Sequence, residues 1–496
     1  MKTLNLDVAI IGAGTAGMSA YRAARNHTPS VGLIEAGAYG TTCARVGCMP
    51  SKLLIAAAES AHRAQHADVF GVHAGGVTVD GAAVMRRVRS ERDRFVGFVT
   101  EAVESWPEAD RLLGRARFLS PHELQIDDHT RVIAKAVVIA TGSAPHLPPG
   151  WREQLGERLV TNDDVFEWQH LPASVAVVGG GVIGLELAQA LSRLGVRVLL
   201  LARNNKLGPF TDPALSAKAL AIFSQGGPAA AGGRSFELSL DAQVDKIEPR
   251  REGDQVVVRW SSGGETHEAR FDYLLAATGR RPSLQGLDIA AAGIALDEHG
   301  MPPADRETGQ IAAVGGSSGS HLFIAGDVHN LHPLLHEAAD DGRIAGDNAG
   351  RFPDVRVRPR RAALNVVFCD PQMMMAGASY RSLLAAGTDF CTGTVSFDDQ
   401  GRSRVMAQNS GLLHVYGEQH SGRFLGAEMV GPAAEHIGHL LSWAVQHQLT
   451  VQQMLDSPFY HPVIEEGVRT ALRELSRQLR MGPVPIERCL DCGPGA

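Results

Sequence analysis

Two cysteines, Cys43 and Cys48, lie five residues apart in the segment GTTCARVGCMPSK. In a regular helix their Cα atoms would be separated by a rise of about 7.5 Å, which exceeds the limit of roughly 7 Å for a disulfide. A bridge therefore requires a bent segment, and Gly47 can supply the bend. A helix that continues from Pro50 would bring Cys48 close to its positive end, where a reactive thiolate is favoured. The pattern predicts thiol redox chemistry.

Two other interpretations of this pair are an inert buried pair and one half of a zinc site. Zinc takes about four ligands, and no second cysteine pair lies close by in the sequence, so we expect no metal here. The chain holds another close pair, Cys489 and Cys492, among its last eight residues. Six cysteines in 496 residues are too few for a disulfide scaffold, so the close pairs suggest thiol chemistry.

A histidine and a glutamate near the C-terminus form a candidate acid–base pair. A single histidine among 20 is weak evidence for a functional role. However, His461 precedes Pro462, which favours an extended conformation at the start of a helix. This helix is predicted to run from Pro462 to about Arg480. Glu466, one turn into it, would fix the tautomer of His461, as expected for a base beside a thiol nucleophile.

A weak internal duplication provides the elements that must position these residues. DVAIIGAGTAG at 7–17 and SVAVVGGGVIG at 174–184 are each an apolar strand that runs into G-x-G-x-x-G and a helical pattern. Each copy is followed by a strand that ends in Ala-Thr-Gly, at 137–142 and at 274–279. The repetition predicts two nucleotide-binding units.

The first glycine motif has the complete dinucleotide-binding pattern. Gly12 permits the tight turn, Gly14 lets a pyrophosphate approach the backbone, and Gly17 packs the helix close to the strand. Glu35 ends the strand VGLIE, 18 residues beyond Gly17. A carboxylate at this position can hold both hydroxyl groups of a ribose.

The second motif repeats the glycines and lacks the carboxylate. Gly179, Gly181 and Gly184 take the same places, and the same spacing of 18 residues leads to Ala202, with Arg203 next to it. Without a carboxylate to repel a 2′-phosphate, and with a guanidinium to pair with it, NADP is at least as plausible as NAD. The alternative is that Arg203 is a solvated surface charge.

Composition narrows the partners and the location. The net charge is −7, and the Lys and Arg residues are scattered along the sequence, so the chain is not expected to bind nucleic acid. No apolar run approaches the ~20 residues that a membrane span needs, and the N-terminus is typical of a strand and turn, not of a signal peptide. We therefore expect a cytoplasmic protein that acts on small molecules.

The segment GTTCARVGCMPSK resembles the active-site signature of the class I flavoprotein disulfide reductases, the family of dihydrolipoamide dehydrogenase, glutathione reductase and mercuric reductase. The resemblance continues through both glycine motifs, both Ala-Thr-Gly triplets, FIAGD at 323–327 and FYHPVIEEG at 459–467. Among these relatives the chain looks most like dihydrolipoamide dehydrogenase, because Val182 stands where glutathione reductases have a tyrosine in the nicotinamide site.

The resemblance implies an α/β fold with two Rossmann-like dinucleotide-binding domains, for FAD and for NAD(P), and a C-terminal α+β dimerisation domain. The implied boundaries are 1–150 for the first part of the FAD domain, 151–272 for the NAD(P) domain and 273–354 for the return to the FAD and central domain. The dimerisation domain follows at 355–482, and a tail that contains CxxC follows at 483–496.

The same resemblance implies roles for individual residues. Cys43 matches the thiol that exchanges with substrate, and Cys48 matches the thiol that contacts the flavin. Lys52 matches the lysine beside the flavin N5, and Glu186 matches its carboxylate partner near the nicotinamide. In the family, the counterparts of His461 and Glu466, the base and its orienting carboxylate, come from the partner subunit, which implies a homodimer. The further positions expected to bind the cofactors are Asp327, which matches the ribityl-binding aspartate, together with Thr42, Gly114, Thr141, Gly142, His336 and Gly279.

Some residues depart from the dehydrogenase signature. Thr41, Ala44, Arg45 and Met49 replace its glycine, leucine, asparagine and isoleucine, and the charge of Arg45 could alter thiol ionisation or substrate preference. The CLDC tail is foreign to an ordinary dihydrolipoamide dehydrogenase and is similar to the C-terminal dithiols of mercuric reductase and the large thioredoxin reductases.

Three functional hypotheses follow. The first is a dihydrolipoamide dehydrogenase-like enzyme that passes electrons between a small dithiol, such as a lipoyl group on a carrier protein, and NAD(P) through FAD. The second is an NADPH-dependent reductase of another disulfide or of a metal ion that uses the C-terminal dithiol. The third is a flavin-bound sensing or binding protein with little turnover.

Overall fold

The computed structural model describes residues 1–225, 236–242, 248–312, 320–331, 333–480 and 482. Strands and helices alternate through most of this chain. The strands are β1 (Lys2–Ile11), β2 (Val31–Glu35), β3 (Arg111–Leu113), β4 (Ala116–Ser120), β5 (Glu123–Ile126), β6 (Thr130–Ile139), β7 (Ser143–Pro145), β8 (Leu159–Val160), β9 (Ser174–Val178), β10 (Arg197–Leu201), β11 (Glu237–Ser239), β12 (Glu248–Glu252), β13 (Gln255–Ser262), β14 (Glu265–Phe271), β15 (Tyr273–Ala276), β16 (Arg280–Pro282), β17 (Leu322–Ile324), β18 (Leu364–Val367), β19 (Gln372–Gly377), β20 (Phe390–Ser396), β21 (Leu412–Glu418) and β22 (Phe424–Gly431).

The helices vary from single turns to a helix of 24 residues. They are α1 (Thr15–Ala24), α2 (Thr42–Val46), α3 (Cys48–Gln65), α4 (Gly81–Glu104), α5 (Trp151–Leu155), α6 (Asn162–Val165), α7 (Val182–Arg193), α8 (Pro213–Gln225), α9 (Leu335–Arg351), α10 (Tyr380–Ala385), α11 (Gly401–Val405), α12 (Ala434–Gln446), α13 (Val451–Leu455) and α14 (Glu466–Leu479). Short 3-10 helices span Ala67–Phe70, Glu108–Asp110, Gly156–Arg158 and Gly326–His329. Among the described residues, none of the helices combines the length and the apolar character needed to cross a membrane.

The chain forms two compact units, and the first comprises Met1–Pro50, Arg87–His146 and Gly279–Arg360. Its main sheet has the strand order β3-β2-β1-β6-β5-β4, and β17 also pairs with β6. Strand β1 lies parallel to both β2 and β6. Val8 and Ile10 of β1 enter one hydrophobic core, whereas Ala9 and Ile11 enter another. The sheet is therefore buried on both faces, as expected for parallel strands.

Helices α1 and α9 pack closely within this unit because α9 carries glycines at the contact. A Cβ atom at Gly342 would lie 2.1 Å from the carbonyl oxygen of Ala16, and one at Gly346 would lie 2.2 Å from that of Ala20. Any larger residue would separate the helices. This contact fixes α1, whose N-terminus follows the first glycine motif.

The second unit comprises Ser51–Arg86, Leu147–Thr278 and Arg361–Ala496. It contains a parallel sheet of order β11-β10-β9-β15-β8 and an antiparallel sheet of order β12-β13-β14. A further antiparallel sheet, β18-β19-β22-β21-β20, shares one hydrophobic core with α12 and α14. The two sheets with parallel central strands and the C-terminal α+β portion confirm the predicted α/β fold class, while the predicted domain boundaries remain predictions.

Candidate active site

The segment that carries Cys43 and Cys48 is bent at Gly47, as predicted. Helix α2 ends at Val46, and α3 begins at Cys48, two residues before Pro50. A Cβ atom at Gly47 would lie 3.0 Å from the carbonyl oxygen of Thr42 and 3.2 Å from the Cα atom of Cys43. Glycine therefore allows the chain to turn back against Cys43 and brings the two cysteines together.

The two thiols interact directly. The side chain of Cys43 is hydrogen-bonded to that of Cys48, and this bond, together with burial, raises the pKa of Cys43 above its usual value. The backbone N–H groups of Cys48 and Met49 donate to the Cys43 sulfur and partly offset this rise. Cys43, a residue of α2, thus has its sulfur beside the first backbone N–H groups of α3.

Arg45, the charged departure in the signature, is engaged with the preceding loop. Its Nη1 donates to the carbonyl oxygen of Ala38 at 3.1 Å and to that of Tyr39 at 3.2 Å. These contacts hold the guanidinium against the backbone of the loop. An influence of Arg45 on the thiols remains a prediction.

The first glycine motif has the shape that a pyrophosphate requires. Gly12 has a φ of +106°, and a Cβ atom there would lie 2.4 Å from the carbonyl oxygen of Ala140. A Cβ atom at Gly17 would lie 1.7 Å from the carbonyl oxygen of Gly12. Gly14, immediately before α1, has open space where its side chain would be. The motif therefore leaves a cradle at a helix N-terminus, where anions are favoured.

Glu35 is fixed beside this cradle. Its Oε2 accepts a hydrogen bond from the backbone N–H of Ala13 at 2.7 Å, and its Oε1 accepts one from Gly37 at 2.8 Å. The carboxylate is thus held at the end of β2, next to the glycine turn, where it can accept hydrogen bonds from ribose hydroxyls.

A further group of predicted FAD residues lies around Thr141. The Thr141 Oγ1 atom is buried and has no hydrogen-bond partner among the described residues, which suits a bound ligand. Asp327 accepts a hydrogen bond from the Ser143 hydroxyl at 3.0 Å, and Arg280 Nε donates to the same Ser143 oxygen at 2.9 Å. The residues of this unit therefore fit FAD.

The remaining positions predicted to bind the cofactors lie in turns or at helix starts. Gly114, Gly142 and Gly279 have φ values of +135°, +67° and +108°, which favour glycine. Thr42 is exposed in the first turn of α2, and His336 is exposed in the first turn of α9.

The second glycine motif repeats the first in backbone geometry. Gly179 has a φ of +122°, and a Cβ atom there would lie 2.2 Å from the carbonyl oxygen of Ala277. A Cβ atom at Gly184 would lie 1.9 Å from the carbonyl oxygen of Gly179. Gly181 is open, like Gly14, and immediately precedes α7. This arrangement offers a second cradle for a pyrophosphate.

Strand register identifies the residue that stands in the place of Glu35. The Gly12 N–H donates to Ile34 O, and the Gly179 N–H donates to Leu201 O, so the next residues, Glu35 and Ala202, are equivalent. Ala202 is buried and Arg203, which follows it, is exposed. A Cβ atom at Gly180 would lie 3.0 Å from the Ala202 Cβ atom. The second site therefore lacks the carboxylate and has a cation beside its position.

Lys52 and Glu186 form a tightly held ion pair. Lys52 Nζ lies 3.0 Å from Glu186 Oε1 and 2.8 Å from Oε2. The backbone N–H of Phe368 donates to the same Oε1 at 2.8 Å, and Lys52 Nζ lies 4.5 Å from the centroid of the Phe368 ring. Only 5% of the Glu186 side chain is exposed. The pair is therefore fixed from two sides.

Helix α7 reinforces this arrangement one and two turns beyond Glu186. Gln189 exchanges two hydrogen bonds with the backbone of Asp370, at 2.8 and 2.7 Å. Arg193 forms an ion pair of 2.7 Å with the Asp370 carboxylate. The sequence does not predict the contacts of Phe368, Gln189, Arg193 and Asp370. On α7 the spacing of Gln189 and Arg193 matches an ordinary buried helix face, and Phe368 and Asp370 lie far along the chain from it.

His461 and Glu466 are in contact, as predicted. His461 Nδ1 lies 3.1 Å from each carboxylate oxygen of Glu466, and the imidazole is 51% exposed whereas the carboxylate is 2% exposed. The predicted start of the helix at Pro462 is wrong, because α14 begins at Glu466. The Glu466 carboxylate accepts the N–H of Val463 at 3.2 Å, which stabilises a turn before the helix in place of a further helical turn.

The described structure thus joins Cys43 with Cys48, Lys52 with Glu186, and His461 with Glu466. Cys489 and Cys492 lie outside the described residues. Within the described ranges no group of three or more His, Cys, Asp or Glu side chains could hold a metal ion.

Comparisons with known proteins agree with this arrangement. Residues 6–342 match the family model of the pyridine nucleotide-disulphide oxidoreductases, and residues 364–472 match that of their dimerisation domain. A dihydrolipoyl dehydrogenase of Chlamydia muridarum is 28% identical over 486 residues, which cover 96% of this chain and 98% of the relative. A mercuric reductase of Shigella flexneri is 31% identical over 489 residues, which cover 96% of this chain and 82% of the relative.

Two solved structures share the fold. The HOCl-induced flavoprotein disulfide reductase RclA of Escherichia coli, as its Cu(II) complex, matches with a TM-score of 0.76 and 23% identity over 94% of this chain and 99% of that one. LpdA of Mycobacterium tuberculosis matches with a TM-score of 0.77 and 23% identity over 96% of this chain and 100% of that one.

Proposed function

The chain belongs to the pyridine nucleotide-disulphide oxidoreductase family, as an FAD-dependent disulfide oxidoreductase that uses NAD(P), and from this premise we propose that it oxidises a small dithiol of the dihydrolipoyl type. The observation that carries the proposal is the hydrogen-bonded pair of Cys43 and Cys48 where α2 is followed by α3. The similarity to dihydrolipoyl dehydrogenase over nearly the whole length of both chains supports this substrate class.

In the proposed reaction a substrate thiol gives its proton to His461, and the resulting thiolate attacks the Cys43 sulfur of a Cys43–Cys48 disulfide. The disulfide breaks, Cys48 takes up the negative charge, and a mixed disulfide joins the substrate to Cys43. The second thiol of the substrate then attacks the substrate sulfur of this mixed disulfide and gives up its proton. The bond to Cys43 breaks, the substrate leaves as a disulfide, and Cys43 is left as a thiol. FAD held by the first glycine motif would supply the chemistry that passes these two electrons on as hydride to NAD(P)+. The reverse sequence reduces a disulfide.

The proposed FAD residues are those of the first glycine motif and those near Thr141. Three observations support the assignment: the open space at Gly14, the fixed carboxylate of Glu35, and the buried Thr141 Oγ1, which has no hydrogen-bond partner within the described ranges. The other proposed positions are Gly12, Gly17, Thr42, Gly114, Gly142, Asp327 and His336. Gly279 is a further proposed cofactor-binding position. Lys52 and Glu186 are proposed to serve the exchange of hydride with the nicotinamide.

We propose Gly179, Gly181, Gly184 and Arg203 for the second dinucleotide and expect NADP to be accepted at least as well as NAD. The equivalence of Ala202 with Glu35 and the exposed guanidinium of Arg203 support this expectation. The dimerisation domain at 364–472 supports a homodimer, and in the proposed enzyme His461 acts on the dithiol site of the partner subunit. We propose a cytoplasmic location.

A second candidate is an NADPH-dependent reductase of another disulfide or of a metal ion, with Cys489 and Cys492 as a dithiol shuttle. The CLDC sequence and the similarity to mercuric reductase favour it. Deletion of the residues after Glu487 would then preserve turnover of small dithiols and remove activity towards a bulky disulfide or mercuric ion. Unchanged activity towards every substrate would exclude the shuttle.

Steady-state rates with dihydrolipoamide, glutathione disulfide, oxidised thioredoxin and mercuric ion test the substrate class. The proposal predicts the highest kcat/KM for dihydrolipoamide. A higher kcat/KM for any of the other three substrates would contradict it.

A further inference from the structure

The Glu466 carboxylate is almost completely buried and has several partners. In addition to His461, it accepts the N–H of Val463 on Oε2 at 3.2 Å, and Arg469 Nη2 lies 3.2 Å from Oε1. Arg469 is one turn further along α14, and its side chain is 18% exposed. The carboxylate is thus placed between an imidazole on one side and a guanidinium on the other.

Whether His461 is neutral or protonated determines whether the Glu466 carboxylate needs another cation beside it. A base that receives a proton must be neutral beforehand, so His461 cannot then compensate the charge of Glu466. A buried carboxylate without a cation is costly. Arg469 remains charged at every relevant pH and can therefore stabilise Glu466 while the imidazole is neutral.

The position of the guanidinium is itself fixed. It lies 5.9 Å from the centroid of the Phe459 ring, and Arg469 Nε is buried without a hydrogen-bond partner in the described part of the chain. Arg469 therefore directs its ion pair to Glu466 and is held there by packing.

The backbone of the His461 turn has a separate support. Gln400 is fully buried, and its Nε2 donates to the carbonyl oxygen of Val463 at 2.9 Å. Its Oε1 accepts the N–H and the hydroxyl of Ser403 at 2.8 and 2.9 Å. The turn is thus tied to α11 without Arg469, so removal of the guanidinium changes charge and orientation more than it changes the fold.

We propose that Arg469 is a positioning residue for the dithiol half-reaction, which holds the Glu466 carboxylate in place so that it orients His461. The inference rests on the proposed role of His461 as the proton acceptor. It adds a third member to the pair that the sequence identified.

The test compares the two half-reactions of the holoenzyme by rapid mixing. Arg469→Gln is expected to slow flavin reduction by dihydrolipoamide by about tenfold to a hundredfold, as for other partners that orient a functional histidine, while flavin reduction by NADPH or NADH stays unchanged. Arg469→Lys should recover most of the rate because it retains the charge. Arg477→Gln, the same substitution at an exposed position of α14, should match the wild type.

A double-mutant comparison shows whether Arg469 acts through Glu466. In a Glu466→Gln background, the addition of Arg469→Gln should not slow flavin reduction by dihydrolipoamide any further. This comparison can be made even if Arg469→Gln alone does not fold, because Glu466→Gln removes the buried charge that the arginine compensates. A further tenfold loss in that background, or equal slowing of both half-reactions in Arg469→Gln, would overturn the inference. Normal flavin reduction by dihydrolipoamide in His461→Gln would instead refute the proposed function on which it rests.

Discussion

Two buried glutamates, Glu186 and Glu466, each hold a nitrogen-containing side chain, but they present it differently. Glu186 binds Lys52 through both oxygens and is fixed by the amide of Phe368. Glu466 binds His461, whose ring is half exposed, and also binds Arg469. The first arrangement keeps a charge in one place, whereas the second leaves an imidazole half exposed on a buried carboxylate.

From this difference we propose that the two regions serve different halves of one reaction. A permanent ion pair suits the fixed electrostatics of hydride exchange. An exposed imidazole on a buried carboxylate suits proton transfer to and from a substrate thiol. Variants in one region should therefore slow one half-reaction and spare the other.

The largest expected effect is at the cysteine pair. Cys43→Ser and Cys48→Ser should each abolish oxidation of dihydrolipoamide, because neither variant can form the disulfide that accepts the electrons. FAD should remain bound, because its proposed phosphate and ribose contacts lie elsewhere. Turnover and flavin content are measured with Cys391→Ser as the control. Normal turnover in either variant would exclude the assigned pair.

His461→Gln should slow the dithiol half-reaction by about 10²–10⁴-fold, the usual contribution of positioned acid–base catalysis. Flavin reduction by the nicotinamide should be retained, since Glu186 and Lys52 are untouched. Rapid-mixing measurements of each half-reaction distinguish this result from a structural role, which would slow both equally.

Glu186→Gln provides the opposite test. Loss of the charge leaves Lys52 without its anion and should slow flavin reduction by NADPH or NADH about tenfold, within the range for hydrogen bonds to charged groups. The dithiol half-reaction should change little. The exposed Glu153→Gln serves as the control. If the dithiol rate fell as much as the nicotinamide rate, the division between the two regions would be wrong.

The smallest effects are expected at the second glycine motif. Arg203→Ala should lower kcat/KM for NADPH and leave that for NADH nearly unchanged, because only NADPH carries the 2′-phosphate. Ala202→Glu should shift preference towards NADH, and Asn204→Ala is the control. A strong preference of the wild type for NADH, with no effect of Arg203→Ala, would refute the NADP assignment.

The sequence contained enough information to predict local features of both regions. The bend at Gly47 followed from the spacing of two cysteines, and the place of Ala202 followed from a count that the strand register confirms. The start of α14 could not be predicted, because the Glu466 carboxylate captures the N–H of Val463 and replaces a helical turn. Phe368 was also beyond prediction, since its contact with Glu186 spans 182 residues of sequence. The contact between Arg469 and Glu466 could be predicted, because residues three apart lie on the same face of a helix.

The most direct test of the central claim is anaerobic mixing of the purified holoenzyme with dihydrolipoamide while absorbance is followed at long wavelength. The account predicts rapid two-electron reduction with a thiolate-to-flavin band, and a band formed about 10²–10⁴-fold more slowly in His461→Gln. Reduction by dihydrolipoamide without the band, or at the same rate in both proteins, would contradict the assignment of Cys43, Cys48 and His461 to the dithiol half-reaction.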